Sequence, residues 1–366
     1  MIEQSFGRSA PWSLGIEEEV LILDTGSLAL APGVEALVAA VEGRQLPGVL
    51  KMELLASMVE LATDVCDTPQ DALAALRKLR AAADEAAMAN GLRIAAAGTH
   101  PFSLPQAQDI APDPRYREFV EYAGVSARRQ AVCGLHVHVG MPGPEECMHA
   151  LEGVLPWLPL LLALSANSPY LAGEETGLAS ARAEVLALLP RAAAPPVFAS
   201  YGEWEAFVER FVRIGPADGY TRFWWDIRPH PRFGTLEIRS PDQPTAVELT
   251  AAFAALLQAV CVTVLDGEAP GPANRGDYAQ NRWAALRFGP RAELIHPDGE
   301  RLVPVPELTG ELLALVEPAV EKLGTDELLR TLDPQSCEGD RQLEVGRESG
   351  LEAVAADVSS RTVRSV

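Results

Sequence analysis

Apolar β-forming residues alternate with glutamates through SLGIEEEVLILD, Ser13 to Asp24. This period of two predicts a strand with Glu17 and Glu19 on one face and Glu18 on the other. The period then changes. Leu73, Leu76 and Leu79 recur at helical spacing after a start signal at Thr68-Pro69, and the pattern stops at Asn90-Gly91. LRIAAAG reads as a short buried strand. Beyond a loop holding Pro112 and Pro114, RRQAVCGLHVHVGMP is the most strand-like segment of the chain. PWLPLLLALSANSP is apolar on all sides, as a core helix is, and Gly173 to Pro196 reads mostly as loop. RFWWDIRPHPRFGTLEIRSPD predicts a hairpin, with strands near Arg222 to Arg228 and Gly234 to Ser240 and a turn containing Pro229 and Pro231. PTAVELTAAFAALLQAVCVTVL continues as a long helix opened by Thr245 and Glu248 in capping-box register. A second hairpin around HPDGE and two or three helices complete the chain. With neither repeat nor linker, this order suits an α+β single domain over residues 1–366 better than a regular βαβ series.

Composition narrows the class. At 366 residues and 48% hydrophobic content the chain buries a large core. Its 51 acidic against 30 basic residues argue against nucleic-acid binding through a basic footprint. Five cysteines without C-x-x-C spacing fit a reducing compartment, and MIEQSFGRSAPWS has no signal-peptide pattern. The apolar stretches around Val154 to Ala166 and Leu249 to Leu265 are broken by Pro or by Thr and Gln, so neither reads as a membrane span. A soluble cytoplasmic protein is the expectation, without membrane or nucleic-acid partners; a homodimer is expected on base rate alone.

Several nucleotide and nucleophile signatures are absent. The 29 glycines form no G-x-G, and there is no G-K-[ST], G-x-S-x-G or H-E-x-x-H. Any nucleotide phosphates would therefore be held by metal ions and arginines rather than by a glycine loop. His136 and His138 share a face of their strand. Taken alone, such a pair is more often two satisfied, half-buried histidines than a metal site. Acidic residues, however, recur inside three other apolar segments: Glu17 and Glu19, Glu53 and Glu60, and Glu237. Buried glutamates need partners, so these segments point to a shared polar cleft. Carboxylates crowded with imidazole call for cations, and oxygen-rich ligation suits Mg²⁺ or Mn²⁺. Glu53 and Glu60 share a strand-borne site only if the chain bends near Ala56-Ser57. Glu237 and Arg239 share a face of the second hairpin strand, with Arg228 on the facing strand, a pairing suited to phosphate or carboxylate. Trp224 and Trp225 read as core or as a nucleotide platform.

Together GIEEEVLILD, VELATDVCDTP, GTHPF, CGLHVHVGMP, LSANSPY, DIRPHPRFGTLEIRSPDQPT and NRWAALRFG resemble the carboxylate-amine ligase family related to type 2 glutamate–cysteine ligases, from about Ser13 to Leu343. The resemblance implies a glutamine-synthetase-like fold, a curved antiparallel sheet enclosing an ATP and metal site with helices packed outside. It also implies Mg²⁺-dependent activation of a carboxylate as an acyl phosphate, then attack by an amine; glutamate and cysteine are the expected small-molecule substrates. Glu17, Glu53, Glu60, His136 and Glu237 match the family's metal-binding pattern, with Glu19 as a further ligand. Arg239 matches the arginine beside the last ligand, Arg228 and Arg282 fall in cofactor-binding motifs, and His138 has no assigned role. Two other classes remain open: a metal-dependent amidohydrolase holding Zn²⁺ through both histidines, and a nucleotide-binding protein without turnover.

Overall fold

A computed structural model describes residues 2–267 and 271–363. The principal strands are β1 (Leu14–Asp24), β2 (Gly48–Met52), β3 (Met58–Thr63), β4 (Leu92–Ala95) and β5 (Leu135–Gly140). Two short pairs, β6 (Tyr170–Leu171) with β7 (Glu174–Glu175) and β10 (Glu293–Ile295) with β11 (Leu302–Pro304), flank the hairpin β8 (Ile227–His230) and β9 (Thr235–Ile238). The helices are α1 (Val34–Val41), α2 (Pro69–Ala89), α3 (Pro114–Ala123), α4 (Val125–Arg128), α5 (Pro144–Val154), α6 (Leu158–Ser165), α7 (Ala181–Leu186) and α8 (Tyr201–Ile214). They continue with α9 (Val247–Asp266), α10 (Arg275–Phe288), α11 (Val305–Leu323), α12 (Asp326–Leu329), α13 (Glu338–Ser349) and α14 (Leu351–Thr362).

The architecture is the expected α+β type. Seven strands form one antiparallel sheet in the order β2-β3-β1-β5-β9-β8, with β4 sharing the β5 side of the long strand β1. Helices α2, α5 and α9 pack over one face, where Leu14, Ile16, Leu135, Val137, Val139, Leu236 and Ile238 enter the main core. The opposite face of these alternating strands is left to the polar residues. Helices α5–α6 and α9 have the length and apolarity of membrane spans, but both are mostly buried inside the fold, as core helices are.

Several local expectations change. Pro114 opens α3 at its first turn behind the Asp113 N-cap, so the stretch read as loop is helical; strand β5 starts only at Leu135. The first hairpin strand begins at Ile227, not near Arg222, and Pro229 lies within it. That is tolerated because β8 is the sheet edge, where a missing N–H breaks no ladder. Thr245 does not cap α9. Its hydroxyl donates to the Ala96 carbonyl, and the Glu338 carboxylate from α13 takes the N–H groups of Thr245 and Ala246 instead. Helix α7 occupies part of the predicted Gly173–Pro196 loop, and four helices follow the last hairpin rather than two or three.

Candidate active site

Register builds the site. Direct neighbours across the sheet are Lys51 and Glu60, Glu60 and Glu19, Glu17 and His136, His138 and Glu237, and Glu237 and Arg228. Because side chains alternate, all of these stand on the face away from the main core. The chain turns between Met52 and Met58, as Glu53 and Glu60 required, and both reach one cleft of about 630 Å³. Glu17, Glu19, Glu53, Glu60, His136, His138, Arg228, Glu237 and Arg239 all line it.

Charge is unevenly compensated along this row. Glu237 is buried between two guanidiniums: Arg228 donates to it at 2.6 and 3.1 Å, and Arg239 donates from the cleft side. Burial pushes its carboxyl up, yet the two arginines outweigh that and hold it well below the ordinary range. Glu53 is the opposite case. Burial and the neighbouring charges of Glu19 and Glu60 raise its carboxyl well above normal, and it accepts the Leu54 N–H at 3.0 Å. Glu60 is also raised, by burial and by Glu17, although Lys51 stands 2.7 Å away. At this end the carboxylates outnumber their cations.

The two histidines differ in setting. His136 Nδ1 is 3.3 Å from Glu17 and 3.4 Å from the Arg239 guanidinium, and its Nε2 is 3.9 Å from Glu19. His138 binds Thr235 through Nδ1 at 2.9 Å, while its buried Nε2 has no hydrogen-bond partner among the described residues and lies 3.7 Å from Glu17. Ligand atoms of Glu17, His138 and Glu237 all fall within 4.8 Å of one another. Thus His138, which the sequence reading left without a role, joins this group where His136 was the expected ligand. The reason is register, since His138 is the histidine directly opposite Glu237. Burial works to lower the His138 pKa, but Glu17 and Glu237 raise it above its ordinary value. That is the direction of a site short of positive charge.

An orphaned buried imidazole nitrogen and an excess of carboxylates fit a divalent cation. Glu17, His138 and Glu237 form one donor set, and Glu19, Glu53 and Glu60 gather around a second concentration of charge.

Arg282 lies outside the cleft lining. Its guanidinium, expected at the cofactor, is instead buried against Asp226 at 2.7 Å and the Ala183 carbonyl at 2.9 Å, away from the cleft lining. The tryptophans divide: Trp225 is core, packed on Phe223 and Phe198, whereas Trp224 lines the cleft against Phe119. Lys51 and Arg182 also line the cleft but escaped the sequence reading. Lys51 carried a signal, being one of only three lysines and two residues before Glu53; Arg182 lay in a segment read as loop. A second cavity of about 550 Å³ adjoins the first across Glu17, Lys51, His138 and Phe233, and Arg8, Ser9, Ser13, Thr63 and Arg232 line it.

An antiparallel sheet carrying carboxylates, imidazoles and arginines on its open face is the scaffold of ATP-dependent ligases that form C–N bonds, and the comparisons with known proteins agree. Residues 13–345 match the model of glutamate-cysteine ligase family 2, and the chain belongs to that family. A relative from Rubrobacter xylanophilus, named "Putative glutamate--cysteine ligase 2-3", is 41% identical over 365 residues, covering 99% of this chain and 100% of its own length. A similarly named protein of Herpetosiphon aurantiacus is 36% identical, covering 97% of this chain and 94% of itself. Among solved structures, the glutamate–cysteine ligase of Francisella tularensis in complex with AMP superposes with TM-score 0.70 at 17% identity, over 97% of this chain and 89% of that one. A bifunctional glutathione synthetase from Pasteurella multocida gives TM-score 0.70 at 15% identity, over 96% of this chain and 52% of its own. Those two likenesses concern the fold.

Proposed function

We propose that this protein joins a carboxylate, the γ-carboxylate of L-glutamate, to an amine, with L-cysteine as the first acceptor to test, by activating the carboxylate as an acyl phosphate at the expense of ATP. The observation that carries this reading is the convergence of Glu17, His138 and Glu237 with Arg228 and Arg239 on one cleft. The reaction needs such a site. A carboxylate and an ammonium do not condense in neutral water, so a carboxylate oxygen must first become a good leaving group.

Magnesium or manganese ions would be held by Glu17, His138 and Glu237, with Glu19, Glu53 and Glu60 as further ligands and His136 supporting Glu17. When bound, they would neutralise charge on the transferring phosphoryl group. The chain's own residues supply the rest. Arg239, on the cleft side of Glu237, presents a planar fork to phosphate or to the substrate carboxylate. Arg228 stays behind Glu237, fixed by the carbonyls of Thr221 and Phe223, and keeps that carboxylate ionised and oriented. Arg8, Arg232 and the hydroxyls of the adjoining cavity suit the nucleotide, which would direct its terminal phosphate toward His138 and Glu17. No side-chain nucleophile is required.

The test is ADP release from Mg-ATP and L-glutamate, with and without L-cysteine and a panel of amino acids and amines, with the product identified by mass. Amine-dependent ADP release with a γ-glutamyl product establishes the reading. Cleavage of a γ-glutamyl amide without nucleotide would replace it with the hydrolase class.

A further inference from the structure

We propose that Arg182, through its hold on the main chain of Arg239 and Ser240, is the positioning residue that places Arg239 for phosphoryl transfer. This rests on the ligase reading above for its consequence, but its geometry stands independently.

Strand β9 ends at Ile238, directly before Arg239; the Arg239 N–H still bonds the Asp226 carbonyl at 2.8 Å and the Pro241 carbonyl takes the Leu135 N–H at 3.2 Å, but the carbonyls of Arg239 and Ser240 between them leave the ladder with β5. Arg182 replaces the missing partners. Its guanidinium donates to the Arg239 carbonyl at 3.0 Å and to the Ser240 carbonyl at 3.1 Å, two acceptors that suit a rigid fork. The fork is itself anchored. Asp242, fully buried, lies 3.9 Å from Arg182 and accepts from Ser168 Oγ at 2.6 Å, Ser180 Oγ at 2.7 Å and the Asn167 N–H at 2.9 Å. Ser168 Oγ also accepts the Arg182 backbone N–H, closing the loop between side chain and helix start.

The same guanidinium reaches the other side of the site. A Cβ on Gly134 would lie 2.0 Å from Arg182 Nη2, so the group packs directly on that glycine. Gly134 in turn donates its N–H to the Glu19 carboxylate. One buried cation therefore spans the backbone that carries Arg239 and the backbone that orients Glu19.

The test is a double-mutant cycle on kcat with Arg182→Lys and Arg239→Lys, beside Gly134→Ala. A displacement of Arg239 by about 1 Å lowers kcat about 100-fold while KM for ATP stays within about threefold. Because Arg182 acts through Arg239, its replacement costs little further in the Arg239→Lys background, and Gly134→Ala reproduces the loss in the wild-type background. Additive losses in the cycle, or an unchanged kcat in a folded Arg182→Lys enzyme, overturn the proposal. Crystal structures of wild type and Arg182→Lys give a readout free of turnover. A shifted Arg239 guanidinium supports the positioning role even if the ligase reading fails, and an unmoved one refutes it.

Discussion

Glu17 and Glu18 are chain neighbours of the same type, and the structure uses them in opposite ways. Glu18 points into the helix-covered face and is fully buried, where Arg80 grips both its oxygens at 2.7 and 2.6 Å and Gln243 and Thr250 add donors at 3.0 and 2.6 Å. Arg80 is satisfied in turn by the carbonyls of Pro244, Thr245 and Thr362. Glu17 points the other way, toward two histidines, a lysine and a carboxylate-rich cleft. One face closes its charges in pairs and the other holds charge in excess. A saturated ion pair fastens elements together; an unsaturated cluster keeps donor atoms free, as a cation or substrate site requires.

The contrast is sharpest on the open face. Glu237→Gln should lower turnover by about 10³ to 10⁴-fold, ~4–5.5 kcal/mol of barrier, while thermal unfolding still shows a cooperative fold. Wild-type turnover in that variant would remove Glu237 from the chemistry. On the closed face, Glu18→Gln should cost about 3–5 kcal/mol of stability, because it leaves the Arg80 guanidinium buried without its counter-charge. Chemical denaturation measures it, and a loss below about 1 kcal/mol would mean that Arg80 finds another partner.

A closed region also carries a pH dependence. His100, 2% exposed, accepts the N–H groups of Phe102 and Ser103 on Nδ1 and meets the Leu28 carbonyl with Nε2. Burial pulls its pKa down from 6.5 to about 4. Below pH 6.5 the unfolded chain therefore takes up the proton before the folded one does. The contribution is complete above that pH and is lost as pH falls toward 4, on the order of 3 kcal/mol in all. His100→Asn should flatten the slope of unfolding free energy against pH in this window; an unchanged slope would place the acid sensitivity elsewhere.

The smallest effect has the reverse sign. Glu53→Gln removes one charge from the crowded end of the cleft and should stabilise the metal-free protein by about 1 kcal/mol while impairing turnover. Calorimetry without added metal decides it, and destabilisation would show that Glu53 is held by more than its neighbours' repulsion allows.

Much of the open face was legible because it obeys local rules. Period-two alternation puts Glu17 and Glu19 on one side of β1 and His136 and His138 on one side of β5, and glutamates inside apolar runs betray a shared cleft. The bend that lets Glu53 join Glu60 followed from their spacing. The rest depended on partners distant in sequence. Arg282 falls in a motif that suggests a cofactor contact, but Asp226, 56 positions earlier, holds its guanidinium at 2.7 Å. Thr245 sits in capping register, but the N-cap position falls to Ala246 and a carboxylate 93 positions away takes the Thr245 N–H.

The sequence by itself determined strands β1, β4, β5 and β9, the side each acidic residue takes and the residue types of a candidate cation site, because alternation and composition act over a few neighbours. Only the tertiary structure decided that His138 rather than His136 stands between Glu17 and Glu237, that Glu18 is a structural charge, and that Arg182 braces the segment bearing Arg239. Each of those depends on strand register or on contacts between segments tens to hundreds of residues apart, and pairing across such distances is set by the packing of the whole fold.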